Sequence, residues 1–192
     1  MYSKKYNEYY NKESLVISIN HQGTFLNYSI PIIKISYTIL KSDFKKVPLS
    51  VSTIEKILNK QNRVKWDKLI KRTKILHQDK NNTFIQHTWF KKFEFNINER
   101  DVIEKKISFY KDSNYYSFGS SIGEEQYKKI PNVERIISYI SGLKICEDNN
   151  KITIKILLQL DYKIGSLFNF LNKTLPRKMD EWFRCLIEEI NK

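Results

Sequence analysis

Residues 151–160, KITIKILLQL, and residues 166–191, SLFNFLNKTLPRKMDEWFRCLIEEIN, decide the fold of this chain. In the first stretch apolar residues alternate with mostly polar ones, which predicts a strand with one dry and one wet face. The members of the dry face are Ile152, Ile154, Ile156, Leu158 and Leu160. The second stretch has apolar residues every three or four positions, which predicts a long amphipathic helix. Its apolar stripe comprises Phe168, Leu171, Leu175, Met179, Trp182 and Leu186, widened by Phe170, Phe183, Ile187 and Ile190.

Upstream, runs of β-branched and aromatic residues are separated by residues typical of turns, which predicts an antiparallel sheet. The predicted strands are 15–19, 25–30, 32–40, 83–90, 102–110, 115–121, 136–146 and 151–160. Helical spacing predicts one helix over 51–59 and a second short one holding Val64, Trp66 and Leu69. Pro176 should kink the last helix or start a new segment. The fold class is α+β, a single domain over 1–192 in which 1–14 form a polar lead-in or frayed helix.

The composition favours a basic globular protein. Of 192 residues, 34 are Lys or Arg and 21 are Asp or Glu, which gives a net charge of +13. Such a charge attracts polyanions, either nucleic acid or an anionic membrane, although general enrichment in Lys would produce the same surface. The two cysteines, Cys146 and Cys185, are expected to be free. No apolar run approaches the ~20 residues that a membrane span needs.

The motifs of several enzyme classes are missing from the sequence. The five glycines form no phosphate-binding loop, the three histidines are scattered, and no nucleophile elbow occurs. We therefore expect no enzymatic activity, no metal and no cofactor. Aromatic residues in the predicted elements mostly belong to apolar faces and do not interleave with Lys and Arg, so a nucleic-acid partner is not expected.

Four short motifs suggest a family. Arg63-Val64-Lys65-Trp66-Asp67 follows an amphipathic helix, and Glu99-Arg100-Asp101-Val102-Ile103 enters a strand. Val133-Glu134-Arg135 precedes the penultimate strand, and Leu158-Gln159-Leu160-Asp161 with Leu171-Asn172 joins the last strand to the last helix. In order and spacing these resemble the START (steroidogenic-acute-regulatory-related lipid-transfer) domain family from about residue 32 onwards. The glycine and proline usual after the final aspartate are displaced or missing here.

The resemblance implies a helix-grip fold, in which a curved antiparallel sheet wraps the C-terminal helix around an internal hydrophobic tunnel. The implied cavity residues are Thr88, Glu104, Lys106, Ile154, Ile156, Leu158, Phe168, Leu171, Leu175, Met179 and Phe183. Thr88 and Lys106 stand at the positions where sterol-binding relatives have an acid and an arginine. The acid is absent here and the arginine is replaced by lysine, which weakens a sterol assignment. Glu104 could replace the missing acid. Alternation within the strand instead favours Ile103, Ile107 and Phe109 pointing inward, so the orientation stays open here.

The resemblance also implies a lipid carrier, with one phosphatidylcholine-like phospholipid bound and transient contact with anionic membranes. Lys91, Lys92, Phe93 and Phe95, in the loop 91–98, would form the gate and touch the membrane. Trp66, Asp67, Arg100, Asp101, Arg135, Asp161 and Asn172 match structural signature positions. A monomer, peripheral to membranes and cytoplasmic by default, is expected. The alternatives are a sterol or other hydrophobic-ligand sensor, an enzyme of the same fold, and a charge-driven nucleic-acid or protein interaction module.

Overall fold

The computed structural model describes residues 7–12, 14–20, 30–44, 48–58, 60–92, 98–123, 126–164 and 168–192, with the backbone alone for 7–12, 60 and 168–172. The strands in these ranges are β1 (Asn7–Lys12), β2 (Leu15–Asn20), β3 (Ile32–Leu40), β4 (Ile70–Gln78), β5 (Thr83–Phe90), β6 (Arg100–Lys111), β7 (Asn114–Ser121), β8 (Glu134–Arg135), β9 (Ile137–Asp148) and β10 (Lys151–Asp161). The helices are α1 (Val51–Leu58), α2 (Lys60–Trp66) and α3 (Phe168–Ile190).

The strands form one sheet in the order β1-β2-β3-β10-β9-β7-β6-β5-β4, with antiparallel pairing throughout this path. Short β8 pairs in parallel with the start of β6. The sheet is curved, and α3 packs against its inner face, so the predicted helix-grip architecture is confirmed. The alternation predicted for the last strand is also confirmed, because Ile152 and Ile154 are completely buried.

The core lies between α3 and the β2-β3-β10 part of the sheet. Phe183 of α3 is fully buried and stacks on Tyr37 of β3 with ring centroids 4.0 Å apart. Leu186 and Ile190 continue this contact along the helix, and Ile54 of α1 is buried in the same cluster. Each large apolar side chain buried in this way stabilises the fold by roughly 1.5–3 kcal/mol. Packing on the sheet therefore stabilises α3, as the apolar stripe predicted.

Several predicted elements need correction. Leu69 was predicted in the second short helix, but α2 ends at Trp66. The lead-in contains strand β1, not a helix, because Asn7–Lys12 pairs along its whole length with β2. Strand β4 was not predicted, since its sequence IKRTKILHQ is largely polar and about half of it faces solvent at the sheet edge. Pro176 starts no new segment, because α3 runs through it from Phe168 to Ile190. The strand predicted over 25–30 lies, except for Ile30, outside the described residues.

Cys146 and Cys185 are both free and partly buried, as the sequence predicted. Among the described residues, no helix has the length and apolar character needed to cross a membrane.

Candidate functional site

The strand register settles which face of β6 points inward. Side chains of directly paired residues lie on the same side of a sheet. Lys106 pairs with Gly119, Gly119 with Ser141, and Ser141 with Leu158, whose strand face is the core. Glu104 and Lys106 are therefore inward, and Ile107 and Phe109 are outward with exposed fractions of 44% and 37%. The orientation that simple periodicity favoured for Ile107 and Phe109 is wrong, and the one implied by the family resemblance is found.

Glu104 and Lys106 form an ion pair inside the protein. Lys106 Nζ lies 3.0 Å from Glu104 Oε2, and their side chains are only 20% and 7% exposed, respectively. The Ser138 hydroxyl donates to Glu104 Oε1 over 2.8 Å. Burial by itself raises the pKa of Glu104, but the Lys106 charge and hydrogen bonds from Ser141 and Ser138 outweigh it and hold the pKa below its ordinary value. The site therefore contains a fixed carboxylate next to a fixed ammonium group.

Gly119 makes room for this pair. A Cβ atom built at Gly119 would lie 2.5 Å from Lys106 Cγ and 3.0 Å from the Lys105 carbonyl oxygen. Moving either atom would cost free energy, because Cγ lies close to the Lys106 backbone and the Lys105 oxygen belongs to the backbone itself. Glycine at this position lets the Lys106 stem lie flat across β7.

Further polar groups continue the site across the same half of the sheet. Gln86 Nε2 donates to Thr73 Oγ1 over 2.9 Å and to Thr88 Oγ1 over 3.1 Å. Thr88 and Gln86 are both buried. Burial and the nearby Glu104 charge raise the pKa of Tyr162 to about 12, so its hydroxyl stays protonated and neutral. The inner face of β5 and β6 around Glu104 thus carries a polar cluster, while the inner face of β2, β3 and β10 is mostly apolar.

Within β10 the burial of the apolar face changes along the strand. Ile152 and Ile154 are 0% exposed, whereas Ile156 and Leu158, two and four residues further on, keep partly accessible side chains. Leu175 and Met179 of α3 are also only partly buried, although they pack against the same core. These inward apolar side chains are therefore covered less completely than Ile152 and Ile154, and part of their surface stays available for contact. Phe168 and Leu171 belong to the same stripe, but their side chains lie outside the described residues.

Trp66 and Asp67 fasten α3 to the rest of the fold. Asp67 Oδ2 accepts from Trp182 Nε1 over 2.8 Å and from Arg63 Nε over 2.7 Å. Trp66 Nε1 donates to the Ile57 carbonyl, and its ring packs on Trp182 with centroids 5.3 Å apart. The Asp67 carboxylate and both indole N–H groups in this junction have partners within the protein, as buried polar groups require. These contacts give the first motif a structural role at the helix junction.

Asp101 is the centre of a second buried network, on the outward side of the sheet. Arg135 donates to both carboxylate oxygens over 2.6 and 2.8 Å, and His87 Nε2 lies 2.7 Å from Oδ2. Burial raises the pKa of Asp101, but the bonds from His87 and Arg135 outweigh it and lower that pKa. This bidentate pair ties β8 to β6. His87 thus has a structural place in this network.

The remaining signature positions lie close to where chain segments meet. Arg100 donates to the carbonyl oxygens of Tyr162 and Asn98, linking the start of β6 to the end of β10. Asp161 accepts from the Lys163 backbone N–H over 2.8 Å and pairs with its ammonium group over 2.7 Å. Lys163 has φ 55°, the left-handed conformation that glycine adopts most easily. The turn therefore forms although the glycine of the family pattern is displaced. The Asn172 side chain lies outside the described residues.

Of the predicted gate, Lys91 and Lys92 are exposed at the end of β5, and Phe93 and Phe95 lie outside the described residues.

Sequence reasoning missed Gln86, Gly119, Ser138, Ser141 and Tyr162. Their only sequence signal is a row of small polar residues in strands that otherwise contain large apolar ones, and that signal has no meaning until the strand register is known.

Comparison with known proteins finds a fold but no sequence relative. No model of a known protein family and no curated protein sequence matches the chain. Among solved structures, human StAR-related lipid transfer protein 5 superposes with TM-score 0.80 at 13% identity, covering 96% of this chain and 86% of that one. Human STARD10 gives TM-score 0.77 at 17% identity, covering 96% of this chain and 73% of its own. A fragment of a STAR-related lipid transfer protein from Xanthomonas axonopodis gives 0.72 at 9%, covering 98% and 99%. The helix-grip fold of START domains is thus the fold of this chain.

Proposed function

We propose that this chain is a lipid carrier that binds one phospholipid between α3 and the sheet and moves it between membranes. The observation that carries the proposal is the divided inner face. A polar part is centred on the Glu104–Lys106 pair, and an apolar part on β10 has the partly buried side chains Ile156 and Leu158. A ligand that fits such an interior has a polar head and an apolar tail, and the solved structures with this fold include lipid transfer proteins.

The apolar part suits acyl chains. Ile156, Leu158 and Met179 present partly accessible surface inside the protein. Each CH₂ group moved from water into such surroundings contributes ~0.8 kcal/mol. Two acyl chains would therefore bind so tightly that unaided release into water is slow. Release has to be coupled to contact with a membrane, which favours a carrier that docks and opens.

The polar part suits a zwitterionic headgroup of the phosphatidylcholine type. Glu104 offers a carboxylate to the quaternary amine, and Lys106 offers an ammonium group to the phosphate. Without ligand, the charges of Glu104 and Lys106 are paired with each other. When a zwitterionic headgroup binds, each of them would pair with the opposite charge of the headgroup instead. No buried charge is left uncompensated at either stage, which avoids the largest cost of a buried ionic site. A sterol has one hydroxyl and would compensate only part of this pair.

The connection between β5 and β6 is our proposed gate. Lys91 and Lys92 are exposed where it leaves the sheet, and Phe93 and Phe95 follow in the sequence. Lysines beside aromatic residues suit an anionic membrane surface. In vesicle-to-vesicle transfer assays, the Phe93→Ser, Phe95→Ser double variant should transfer lipid at a small fraction of the wild-type rate. An unchanged rate would remove this loop from the mechanism.

Native mass spectrometry with lipid extraction of the purified protein tests the carrier function directly. We expect one phospholipid per chain with a choline headgroup. The Leu158→Trp variant fills the interior space and should emerge lipid-free, whereas Leu157→Trp, on the opposite face of the same strand, should retain its lipid. A wild-type protein that is lipid-free and stays so after incubation with mixed vesicles would contradict the proposal. A bound sterol would support a cavity and refute the headgroup assignment.

A further inference from the structure

We propose that the outward face of β6, β7, β9 and β10 is a docking surface for anionic membranes. The surface, called the outer patch below, lies on the side of the sheet opposite the proposed ligand. Its apolar members are Ile107, Phe109, Tyr116, Phe118, Ile140 and Leu157. This goes beyond the carrier function, because the outer patch shares no residue with the interior site or with the β5–β6 connection.

The outer patch is a continuous apolar surface. Phe109 pairs with Tyr116 across the strands, and Ile107 pairs with Phe118. The Phe109 ring centroid lies 5.3 Å from that of Tyr116 and 6.4 Å from that of Phe118. Ile107, Phe109, Phe118 and Ile140 are 44%, 37%, 41% and 39% exposed. Large apolar side chains that cluster on a surface mark a place where something binds.

Glycine extends this surface sideways. A Cβ atom at Gly142 would lie 3.3 Å from Leu157 Cβ and 3.3 Å from Phe118 Cδ1. The Phe118 ring and the Leu157 side chain therefore both lie against the outward side of Gly142. The outer patch thus crosses four strands, from β6 to β10, and is not limited to a single pair.

The charged side chains at the outward strand positions of the outer patch are lysines, and the exposed carboxylates Asp112 and Asp148 lie in sequence just beyond its ends. Lys105 and Lys111 flank it on β6, Lys155 on β10 is exposed, and Lys144 Nζ lies over the Tyr116 ring at 5.1 Å. The outward positions 105–111 of β6, 114–120 of β7, 140–146 of β9 and 153–159 of β10 contain no carboxylate. An apolar centre with lysines at its rim is complementary to a surface that is negative outside and apolar beneath.

Two other occupants fit less well. A second copy of this chain would bring lysines against lysines, and each copy has a net charge of +13. Single-stranded nucleic acid would use the aromatic rings, but Ile107, Ile140 and Leu157 offer no ring for a base to stack on. The outward strand positions named above contain lysine and no arginine, the residue that best recognises nucleic-acid phosphates. Lysine stems can instead lie along apolar surface while the ammonium groups reach lipid phosphates.

The outer patch is also separated from the proposed gate. Ile107 follows Arg100 by seven residues of extended strand, about 24 Å at the usual rise per residue. A flat membrane that meets the β5–β6 connection would leave the outer patch free for a second contact. Docking through the outer patch and lipid exchange through the gate are therefore separable by substitution.

Co-sedimentation with vesicles tests the proposal, using phosphatidylcholine alone and phosphatidylcholine mixed with phosphatidylserine. Wild-type protein should bind the mixed vesicles much more tightly. The Lys105→Gln, Lys144→Gln, Lys155→Gln variant should bind them on the order of 100-fold more weakly. A control with the same net charge, Lys56→Gln, Lys80→Gln, Lys173→Gln, removes exposed lysines elsewhere and should bind far more tightly than the patch variant. Phe109→Ser, Phe118→Ser should weaken binding with all lysines present.

Lipid content and thermal unfolding are measured on every variant. Normal values for both, together with lost vesicle binding, would support the outer patch whether or not the bound lipid is the proposed one. Equal losses in the patch and control lysine variants would overturn it, since net charge alone would then explain binding. The wild-type protein could instead show no preference for phosphatidylserine and bind a single-stranded oligonucleotide, with the patch variants losing that binding. This result would overturn the membrane proposal in favour of nucleic acid. A wild-type protein that binds neither phosphatidylserine-containing vesicles nor the oligonucleotide would also contradict the proposal.

Discussion

Replacing Lys106 with methionine should destabilise the protein and reverse the pH dependence of its stability. Methionine keeps most of the apolar stem and removes the ammonium group, which leaves the Glu104 carboxylate 7% exposed and without its cation. Breaking a fully buried pair in this way costs about 3–5 kcal/mol. Lys106 is 20% exposed and Ser138 still donates to Glu104, so we expect about 2–3 kcal/mol for the lipid-free protein at neutral pH.

The pH dependence follows from the folded-state pKa of Glu104. In the wild type that pKa is below the ordinary 4.5, so the carboxylate contributes stability above pH 4.5 that is lost as pH falls through the folded-state pKa. In Lys106→Met the burial of Glu104 is no longer offset by the ammonium charge, and its pKa should rise above 4.5. The folded state then holds the proton more tightly than the unfolded state. The stability of the variant should therefore fall as pH rises from 4.5 through the new pKa.

Urea unfolding of lipid-free protein, followed across the acid-to-neutral range, measures both effects. Lys105→Met is the matched control, since Lys105 precedes Lys106 on β6 but is exposed on the outward face. It should change the free energy of unfolding by less than about 0.5 kcal/mol. Adding Glu104→Gln to Lys106→Met should abolish the falling limb. If Lys106→Met and Lys105→Met unfold at the same urea concentration at every pH, the pair is not an interior feature and the headgroup argument fails with it.

Two further predictions test the surroundings of the site. Gly119→Ala should displace the Lys106 side chain and reduce the amount of co-purified phospholipid measured by mass spectrometry, while Gly123→Ala, where an added Cβ meets nothing within 4 Å, should not. Trp182→Phe keeps most of the apolar packing but removes the donor to Asp67, which is 1% exposed, and should cost about 1–3 kcal/mol in urea unfolding. A Trp182→Phe protein as stable as wild type would show that water or Arg63 satisfies that carboxylate fully.

Much of the fold could be predicted from local patterns. The strand Thr83–Phe90 was predicted with both ends correct, and the strand over 32–40 likewise. Such strands bury one whole face, so the alternation of apolar and polar residues can be seen directly in the sequence. Strand β4 and strand β1 have no such alternation. Pairing with β5 and β2 holds them in the sheet, and that pairing depends on residues far away in the chain.

The candidate site divides in the same way. Leu158 and Met179 could be assigned to inner faces from spacing alone, because both belong to long apolar stripes. The Glu104–Lys106 pair could not, since a strand with Ile103, Ile107 and Phe109 on one side and charges on the other normally turns its charges to water. Ser138 and Gly119 could not be assigned either, because each acts on a residue of another strand and the strand register was not known.

The sequence by itself determined an α+β chain whose last strand and last helix bury apolar faces against each other, because hydrophobic periodicity reports which side of an element avoids water. It could not determine which face of β6 is inside. That was decided by the register between β6, β7 and β9, which places Lys106 beside Gly119 and Leu158 on the inner side and leaves Phe109 outside. The physical reason is that alternation divides a strand into two faces without saying which of them the rest of the chain will cover.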